Sequence, residues 1–205
     1  MEQGLRPLLP LVDPPSSAPR WHPWAMFYRG WVYTHRNQLE QRLTALRASF
    51  VGPSARVTQV PYRKICLAET LLCAGHAEEG LAVVEETLAQ VESTEERWNE
   101  AEPWRIKGEL LAERTRRPGD GETRRPRDGE TPCKAQGRLQ REGEEEAEAC
   151  FRRAIEVARG QEAKSWELRA TTGLARLLRD QGRRDEARET LAAIYAAKQR
   201  PLCLC

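Results

Sequence analysis

Small and apolar residues recur along this chain at helical spacing, and three segments repeat the same separations. The first group consists of Ala68, Gly80, Val84 and Thr87, which are 12, 4 and 3 residues apart. The second group, with the same separations, consists of Ala175, Ala187, Leu191 and Ile194. The third group has the separations of 4 and 3 in Ala147, Phe151 and Ala154, with Gly108 as a displaced first member. Small residues at the first two positions let two antiparallel helices approach closely, and the apolar residues at the later positions pack against the next pair of helices.

This spacing predicts an all-α fold, a tetratricopeptide-like right-handed α-solenoid of about four helical hairpins. The four hairpins are expected at residues 24–50, 61–95, 97–159 and 162–199. Gly75 and Gly182 fall between apolar periodic segments and are expected to end helices there. The residues expected to pack the repeats are Gly30, Ala68, Gly80, Gly108, Ala147, Phe151, Ala154, Ala175, Ala187 and Leu191.

Proline and charge mark the segments that are expected to lie outside this repeat domain of residues 24–199. Residues 1–23 contain six prolines, which indicates an irregular lead-in, and residues 200–205 are expected to form a tail. Residues 114–142 are expected to form a disordered insert, in which RRPGDGET is followed at once by RRPRDGET. That stretch is rich in Arg, Gly and Pro and has few aliphatic residues, so it cannot bury enough apolar surface to order itself.

Charge is distributed unevenly between the predicted helices. The formal net charge of +2 is too small to indicate a nucleic-acid partner by itself. The first helices of the predicted hairpins sum to about +3, whereas the second helices sum to about −6. First helices line the concave face of such a solenoid, so the concave face is predicted to be the more basic one. The candidate ligand contacts on it are Arg63, Lys64, Arg105, Lys107, Arg169 and Arg176.

Motifs for catalysis, cofactors and metals are missing from the sequence. There is no GxxxxGK[ST] phosphate loop and no HExxH pair, and the six cysteines form no CxxC motif. We therefore expect no catalytic residue, no cofactor and no metal site. No run approaches the ~20 apolar residues that cross a bilayer. The expectation is a cytoplasmic protein with reduced thiols and no membrane partner.

Likeness to a known family lies in four segments within roughly residues 20–195, namely AGHAEEGLAVVEETLAQVEST, RWNEAEPWRIKGELLAE, AEACFRRAIEVAR and ELRATTGLARLLRDQGRRDEAR. These segments resemble the C-terminal helical-repeat region of bacterial signal-transduction ATPases and adenylate-cyclase-like regulators. In such proteins the repeats follow a nucleotide-binding ATPase core. The resemblance therefore implies a bacterial protein with a regulatory role in signal transduction, although the catalytic motifs of that core are absent from this chain.

Three functional hypotheses remain open at the level of sequence. The leading one is a regulatory protein-interaction scaffold, not an enzyme, that accepts an acidic or extended peptide on its concave face. The alternative is a truncated regulatory fragment of a signal-transduction ATPase or cyclase-like protein. An RNA contact through the arginine-rich insert is disfavoured, because Asp and Glu alternate with the arginines and aromatic residues are lacking. Self-association through exposed terminal repeats, near Trp21, Trp24 and Trp31, is a further expectation.

Overall fold

A computed structural model describes residues 22–35, 38–50, 60–95, 97–116 and 132–198. These residues form eight α-helices and one short 3₁₀ helix, and they contain no strand, which confirms the expected all-α fold for this part of the chain. The α-helices are α1 (His22–His35), α2 (Leu39–Ala48), α3 (Val60–Ala74), α4 (Ala77–Thr94), α5 (Ala101–Arg116), α6 (Pro132–Gly160), α7 (Lys164–Asp180) and α8 (Arg184–Lys198). The 3₁₀ helix is Arg97–Asn99. The chain divides into two compact units, unit 1 (Met1–Gln90) and unit 2 (Val91–Cys205).

Unit 1 is built around four leucines of α2 and α3. These are Leu43, Leu46, Leu67 and Leu71. Phe27 of α1 and Val83 of α4 pack against this cluster. Gly30 lets α1 approach α2 closely, because a Cβ at Gly30 would lie 3.2 Å from Cγ of Leu46. Side chains from all four helices therefore meet in one apolar core, which transfers their surface from water to a packed interior.

Unit 2 is organised around the ring of Phe151 on α6, which is 2% exposed. A Cβ at Gly108 of α5 would lie 3.1 Å from the ring, and a Cβ at Gly173 of α7 would lie 2.4 Å from ring atom Cε1. A Cβ at Gly173 would overlap the ring, and a Cβ at Gly108 would press against it. The ring thereby sets how closely α5 and α7 approach α6. Helix α7 packs against both α5 and α6, and α8 packs against α7.

The residues that the sequence assigned to helix contacts lie mostly in the interior of their units. Nine of the ten are buried, and Leu191 of α8 is half-buried. The nine buried residues are Gly30, Ala68, Gly80, Gly108, Ala147, Phe151, Ala154, Ala175 and Ala187. Alanine and glycine at these places keep the helix backbones close, since a larger side chain would push them apart.

Two helix boundaries differ from the sequence expectation. Helix α5 continues to Arg116 and α6 begins at Pro132, so helix occupies residues 114–116 and 132–142 of the stretch expected to be irregular. Pro132 suits the first turn of a helix, where its missing N–H is not needed. Further along α6, Arg138 forms an ion pair of 2.9 Å with Glu142, one turn away. The remainder of the expected insert, residues 117–131, lies outside the described residues.

The terminal expectations fall mainly outside the described residues as well. Helix α1 begins at His22, two residues before the predicted start, because Pro23 is tolerated in a first helical turn. Residues 1–21 and 199–205 are not described, and neither are the side chains of Trp24 and Trp31. The expected tail and the self-association surface near these tryptophans therefore stay predictions.

Replacing Gly173 by alanine tests the packing of the Phe151 ring against α7. We expect Gly173→Ala to destabilise the protein by about 1–3 kcal/mol, because the new methyl group overlaps the ring and forces repacking. Gly137→Ala on α6 is the matched control, since no atom beyond the adjoining residues and the local helix backbone lies within 4 Å of the methyl that it adds. There the alanine should stabilise the helix by about 0.5–1 kcal/mol. Thermal unfolding followed by circular dichroism measures both changes.

A second substitution tests whether overlap with the Phe151 ring causes the loss of stability in Gly173→Ala. In the Gly173→Ala background, Phe151→Leu should recover part of the lost stability, although Phe151→Leu alone should destabilise the protein. Additive effects of the two substitutions would show that the ring and Gly173 are not in contact.

Candidate functional site

A row of alternating charges crosses unit 2 where α5 lies beside α7. Arg105 donates to Oε2 of Glu102 from Nη2 at 2.8 Å and to Oε1 of Glu109 from Nη1 at 2.8 Å. The three residues are separated by three and four positions, which places them on one side of α5. From α7, Nη1 of Arg169 lies 3.1 Å from the same Oε2 of Glu102. Arg176 lies one heptad beyond Arg169 on α7. The first-helix face is defined by these five residues, Glu102, Arg105 and Glu109 of α5 and Arg169 and Arg176 of α7.

A second cross-helix ion pair joins α5 and α7 beyond this face. Nη2 of Arg116 donates to Oδ2 of Asp180 at 2.6 Å. A hydrogen bond from the neighbouring Arg179, together with the charge of Arg116, holds the pKa of Asp180 below its usual value. Helices α5 and α7 are therefore joined by ion pairs at two places, near Glu102 and near Asp180.

Two of the six predicted cationic contacts lie in unit 1, where they make internal contacts. Arg63 is fully buried, donates from Nη1 to the backbone oxygen of Ser49 at 2.6 Å, and stacks over the ring of Phe50 at 5.1 Å. Burial lowers its pKa. Lys64 is mostly buried and lies 2.8 Å from Oε1 of Glu86. Arg63 is thus a core residue rather than the surface contact that the sequence suggested, because its position on α3 faces the end of α2.

The other four predicted cations lie in unit 2, and three of them share the first-helix face. Arg105 is buried between its two carboxylates, Arg169 is half-exposed, and Arg176 is exposed. Lys107 is half-buried on another side of α5, close enough to Cys150 of α6 to influence its thiol electrostatically. The five residues of the first-helix face carry a formal charge of only +1, so the expected basic excess is largely neutralised there.

The thiol of Cys150 is unsuited to nucleophilic chemistry. Burial raises its pKa to about 11, although the positive charge of Lys107 acts in the opposite direction. The thiol is therefore protonated at neutral pH, and it is the thiolate that attacks electrophiles and binds metals. Cys150 acts as a packing residue of α6.

Sequence reasoning missed the polar and aromatic groups at the start of α5. Asn99 is 1% exposed, and neither polar atom of its amide has a hydrogen-bond partner among the described residues. Oε1 of Glu102 is also buried without such a partner. Beside them, the ring of Trp98 is half-exposed and lies 6.4 Å from that of Trp166. No periodic signal marks Asn99, since a buried polar residue breaks the apolar pattern.

Two carboxylates of unit 2, the buried Glu167 and the half-buried Glu148, join α6 to α7 and to the turn before α8. Glu167 of α7 accepts a hydrogen bond from Nε of Arg159 at 2.7 Å and one from Nζ of Lys164 at 3.0 Å. Glu148 of α6 accepts one from Nη1 of Arg183 at 2.6 Å. Burial raises the pKa of each carboxyl, but the hydrogen bonds and positive charges outweigh it and leave the pKa of both below the usual value.

The described residues offer no metal site and no membrane span. No cluster of three or more His, Cys, Asp or Glu side chains that could hold a metal ion occurs among them. None of the described helices combines the length and the apolar character that crossing a bilayer requires. Unit 2 presents paired charges between α5 and α7 and a pair of tryptophan rings, Trp98 and Trp166.

Comparison with models of known protein families gives no match for this chain, and a search of curated proteins finds none that is similar to it. Its function is therefore inferred from the residues and their geometry.

Acidification is expected to weaken unit 2 through Glu148 and Glu167. Because the folded protein holds these carboxyls at lowered pKa, the unfolded chain takes up protons first as the pH falls. Their stabilisation is complete above the unfolded pKa of about 4.3 and is lost as the pH falls through the lowered folded values. Glu167→Gln should cost about 1–3 kcal/mol at pH 7 and reduce the loss of stability between pH 7 and pH 3.

The control for this prediction is Glu189→Gln, at an exposed position of α8. Urea unfolding at a series of pH values measures both variants. A pH dependence of Glu167→Gln as steep as that of the unsubstituted protein would contradict the assignment.

Proposed function

We propose that the protein is a non-enzymatic interaction scaffold of the tetratricopeptide type that binds an extended peptide on the first-helix face. The observation that carries this proposal is the packing of α7 against both helices of the preceding pair, α5 and α6. Successive hairpins in a helical-repeat array make this contact, because each hairpin buries its apolar side on the next one. The repeated separations of 12, 4 and 3 residues support the same interpretation.

The first-helix face and the Arg116–Asp180 ion pair beyond it together have the dimensions of a site for a short peptide. Arg169 and Asp180 are eleven residues apart on α7, which corresponds to about 16 Å along the helix. An extended chain covers that length in about five residues. The two ion pairs between α5 and α7 hold the helices side by side, so the face is preorganised and little of the binding free energy goes into ordering it.

Arg176 is the residue of this face best placed to contact an acidic side chain. It is exposed, and it forms no ion pair with any residue that the structure describes. Arg105 and Arg169, in contrast, already share the carboxylate of Glu102. The attraction for an acidic peptide is therefore local, at Arg176, rather than a long-range effect of a strongly basic groove.

Two expectations from the sequence go with this proposal as predictions. One is that the repeats are those of a bacterial signal-transduction ATPase-like regulator, with the truncated fragment as the alternative. The other is a cytoplasmic location. A neighbouring reading frame that encodes a phosphate-loop ATPase would favour the fragment.

A charge reversal at Arg176 tests the proposed peptide site. Extended peptides are selected from a displayed random library on the full chain, and their affinity is then measured by fluorescence polarisation. Arg176→Glu should weaken binding about tenfold or more, the effect of losing one charge-assisted hydrogen bond. Arg188→Glu on α8 is the matched control, because it makes the same charge change at a side chain that is 82% exposed. It should change the affinity about twofold at most, which is the size of a screened long-range effect.

The pattern across the two variants decides the outcome. Equal losses would show that bulk charge rather than the first-helix face governs binding. Undiminished binding by Arg176→Glu would place the peptide elsewhere on the chain.

A further inference from the structure

A groove of about 440 Å³ lies in unit 2 where side chains of α6, α7 and α8 come together. Its apolar lining consists of Ile155 of α6, Leu174 of α7 and Ala193 of α8. Ala193 is exposed, whereas Ile155 and Leu174 are buried at the floor. The volume exceeds that of one side chain and falls within the range of ordinary ligand sites.

Two arginines of α6 line the groove on either side of Ile155. Arg152 and Arg159 are seven residues apart, which places them on the same side of the helix and about 10 Å from each other along its axis. Their side chains are 62% and 59% exposed. The groove therefore offers two guanidinium groups with an apolar surface between them.

Each of these arginines is oriented by a carboxylate but keeps donors for a ligand. Nε and Nη2 of Arg152 donate to Glu148, and Nε of Arg159 donates to Glu167 at 2.7 Å. Nη1 of Arg152 and both terminal nitrogens of Arg159 form no hydrogen bond with a described residue. A guanidinium that is held along one edge has less freedom to lose when it binds a second carboxylate.

The acidic residue of the lining is already compensated. Glu156 accepts a hydrogen bond at 2.8 Å from Nη1 of Arg153, its neighbour on the outer side of α6. The repulsion that Glu156 would exert on an incoming carboxylate is thereby reduced. Arg152, Arg159 and Glu156 leave the lining with a formal charge of +1, which favours an acidic ligand weakly.

The groove is separate from the first-helix face. On α7, Leu174 follows Arg169 by five residues, which corresponds to about 140° around the helix at 100° per residue. Arg176, in contrast, is seven residues from Arg169 and shares its side of the helix. The two surfaces therefore lie on nearly opposite sides of α7.

From this arrangement we infer that the groove binds an extended segment of a partner protein in which two acidic residues flank an apolar one, in the pattern acid–x–apolar–x–acid. In an extended chain, alternate side chains point to the same face, so the two acids and the apolar residue face the groove together. The acids are about 13 Å apart along such a chain. Arg152 and Arg159 are about 10 Å apart along the axis of α6, and their long side chains can reach outward to two carboxylates that are about 13 Å apart. The apolar residue enters the groove between them, over Ile155 and Leu174.

This inference does not depend on the peptide site of the first-helix face, and its test is built to keep the two apart. The probe is a blocked peptide, Glu-Ser-Phe-Ser-Glu, added to the full ¹⁵N-labelled chain while amide chemical shifts are followed by NMR. Two control peptides each remove one feature. Gln-Ser-Phe-Ser-Gln lacks the charges, and Glu-Ser-Ser-Ser-Glu lacks the apolar residue. We expect saturable shifts clustered around Ile155, Leu174 and Ala193, with at least tenfold weaker binding of either control peptide.

Variants of the protein then locate the binding site. Ala193→Trp fills the groove from an exposed position, so it should abolish binding while the thermal unfolding curve stays nearly unchanged. Arg152→Gln and Arg159→Gln together should weaken binding at least tenfold. Arg188→Gln, at the 82% exposed position on α8, should change it about twofold at most. Arg176→Glu should do no more than that if the groove and the first-helix face are separate.

Three results would overturn the inference. They are an absence of saturable shifts, shifts centred on Arg169 and Arg176, and undiminished binding by Ala193→Trp. Failure of the peptide selection on the first-helix face would not contradict the inference about the groove. The probe for the groove is a peptide of fixed sequence, and the NMR shifts report its binding residue by residue.

Discussion

The ring of Phe151 between two glycines is the contact on which the arrangement of unit 2 depends. Gly108 of α5 and Gly173 of α7 both come within reach of that ring only because neither has a Cβ. Packed interiors do not deform continuously, so a ring held on two sides gives α5 and α7 defined positions relative to α6. Helix α7 contributes to both the first-helix face and the groove, on nearly opposite sides. Both surfaces therefore depend on where the ring seats that helix.

The charged groups of the interior form ion pairs and hydrogen bonds that add to this packing, but the positions of the helices are set by the apolar contacts. Arg105 and Glu102 are both nearly enclosed, and each has an opposite charge within hydrogen-bond distance. Removing one partner of such a pair would leave a buried charge without compensation, which is costly. In unit 1, Arg63 is compensated by a backbone oxygen and an aromatic ring. Several cations that looked available for a ligand thus stabilise the protein itself.

The sequence predicted much of the fold but fewer of the site residues, for separate physical reasons. Small residues at fixed separations must be buried wherever helices touch, and so Gly108 and Phe151 could be recognised from spacing alone. Gly173 could not be recognised, since it stands outside the repeated separations of 12, 4 and 3 residues. Gly143 of α6 was missed for the same reason, although a Cβ there would lie 2.5 Å from Cγ2 of Thr115.

A count of charges per helix ignores which side of the helix faces a neighbour, which is why the burial of Arg63 and Arg105 was not foreseen. The groove was not foreseen either, because its residues come from three helices.

The contact between the Phe151 ring and both glycines can be measured directly by NMR. With the ring protons of Phe151 selectively labelled, a nuclear Overhauser spectrum of the full chain reports which protons lie close to them. The structure predicts cross-peaks from the ring to the Hα protons of Gly108 and of Gly173, with both Hα resonances displaced by the ring current. Cross-peaks to Gly108 alone, or to neither glycine, would show that α7 is not seated on Phe151 and would contradict the arrangement of unit 2.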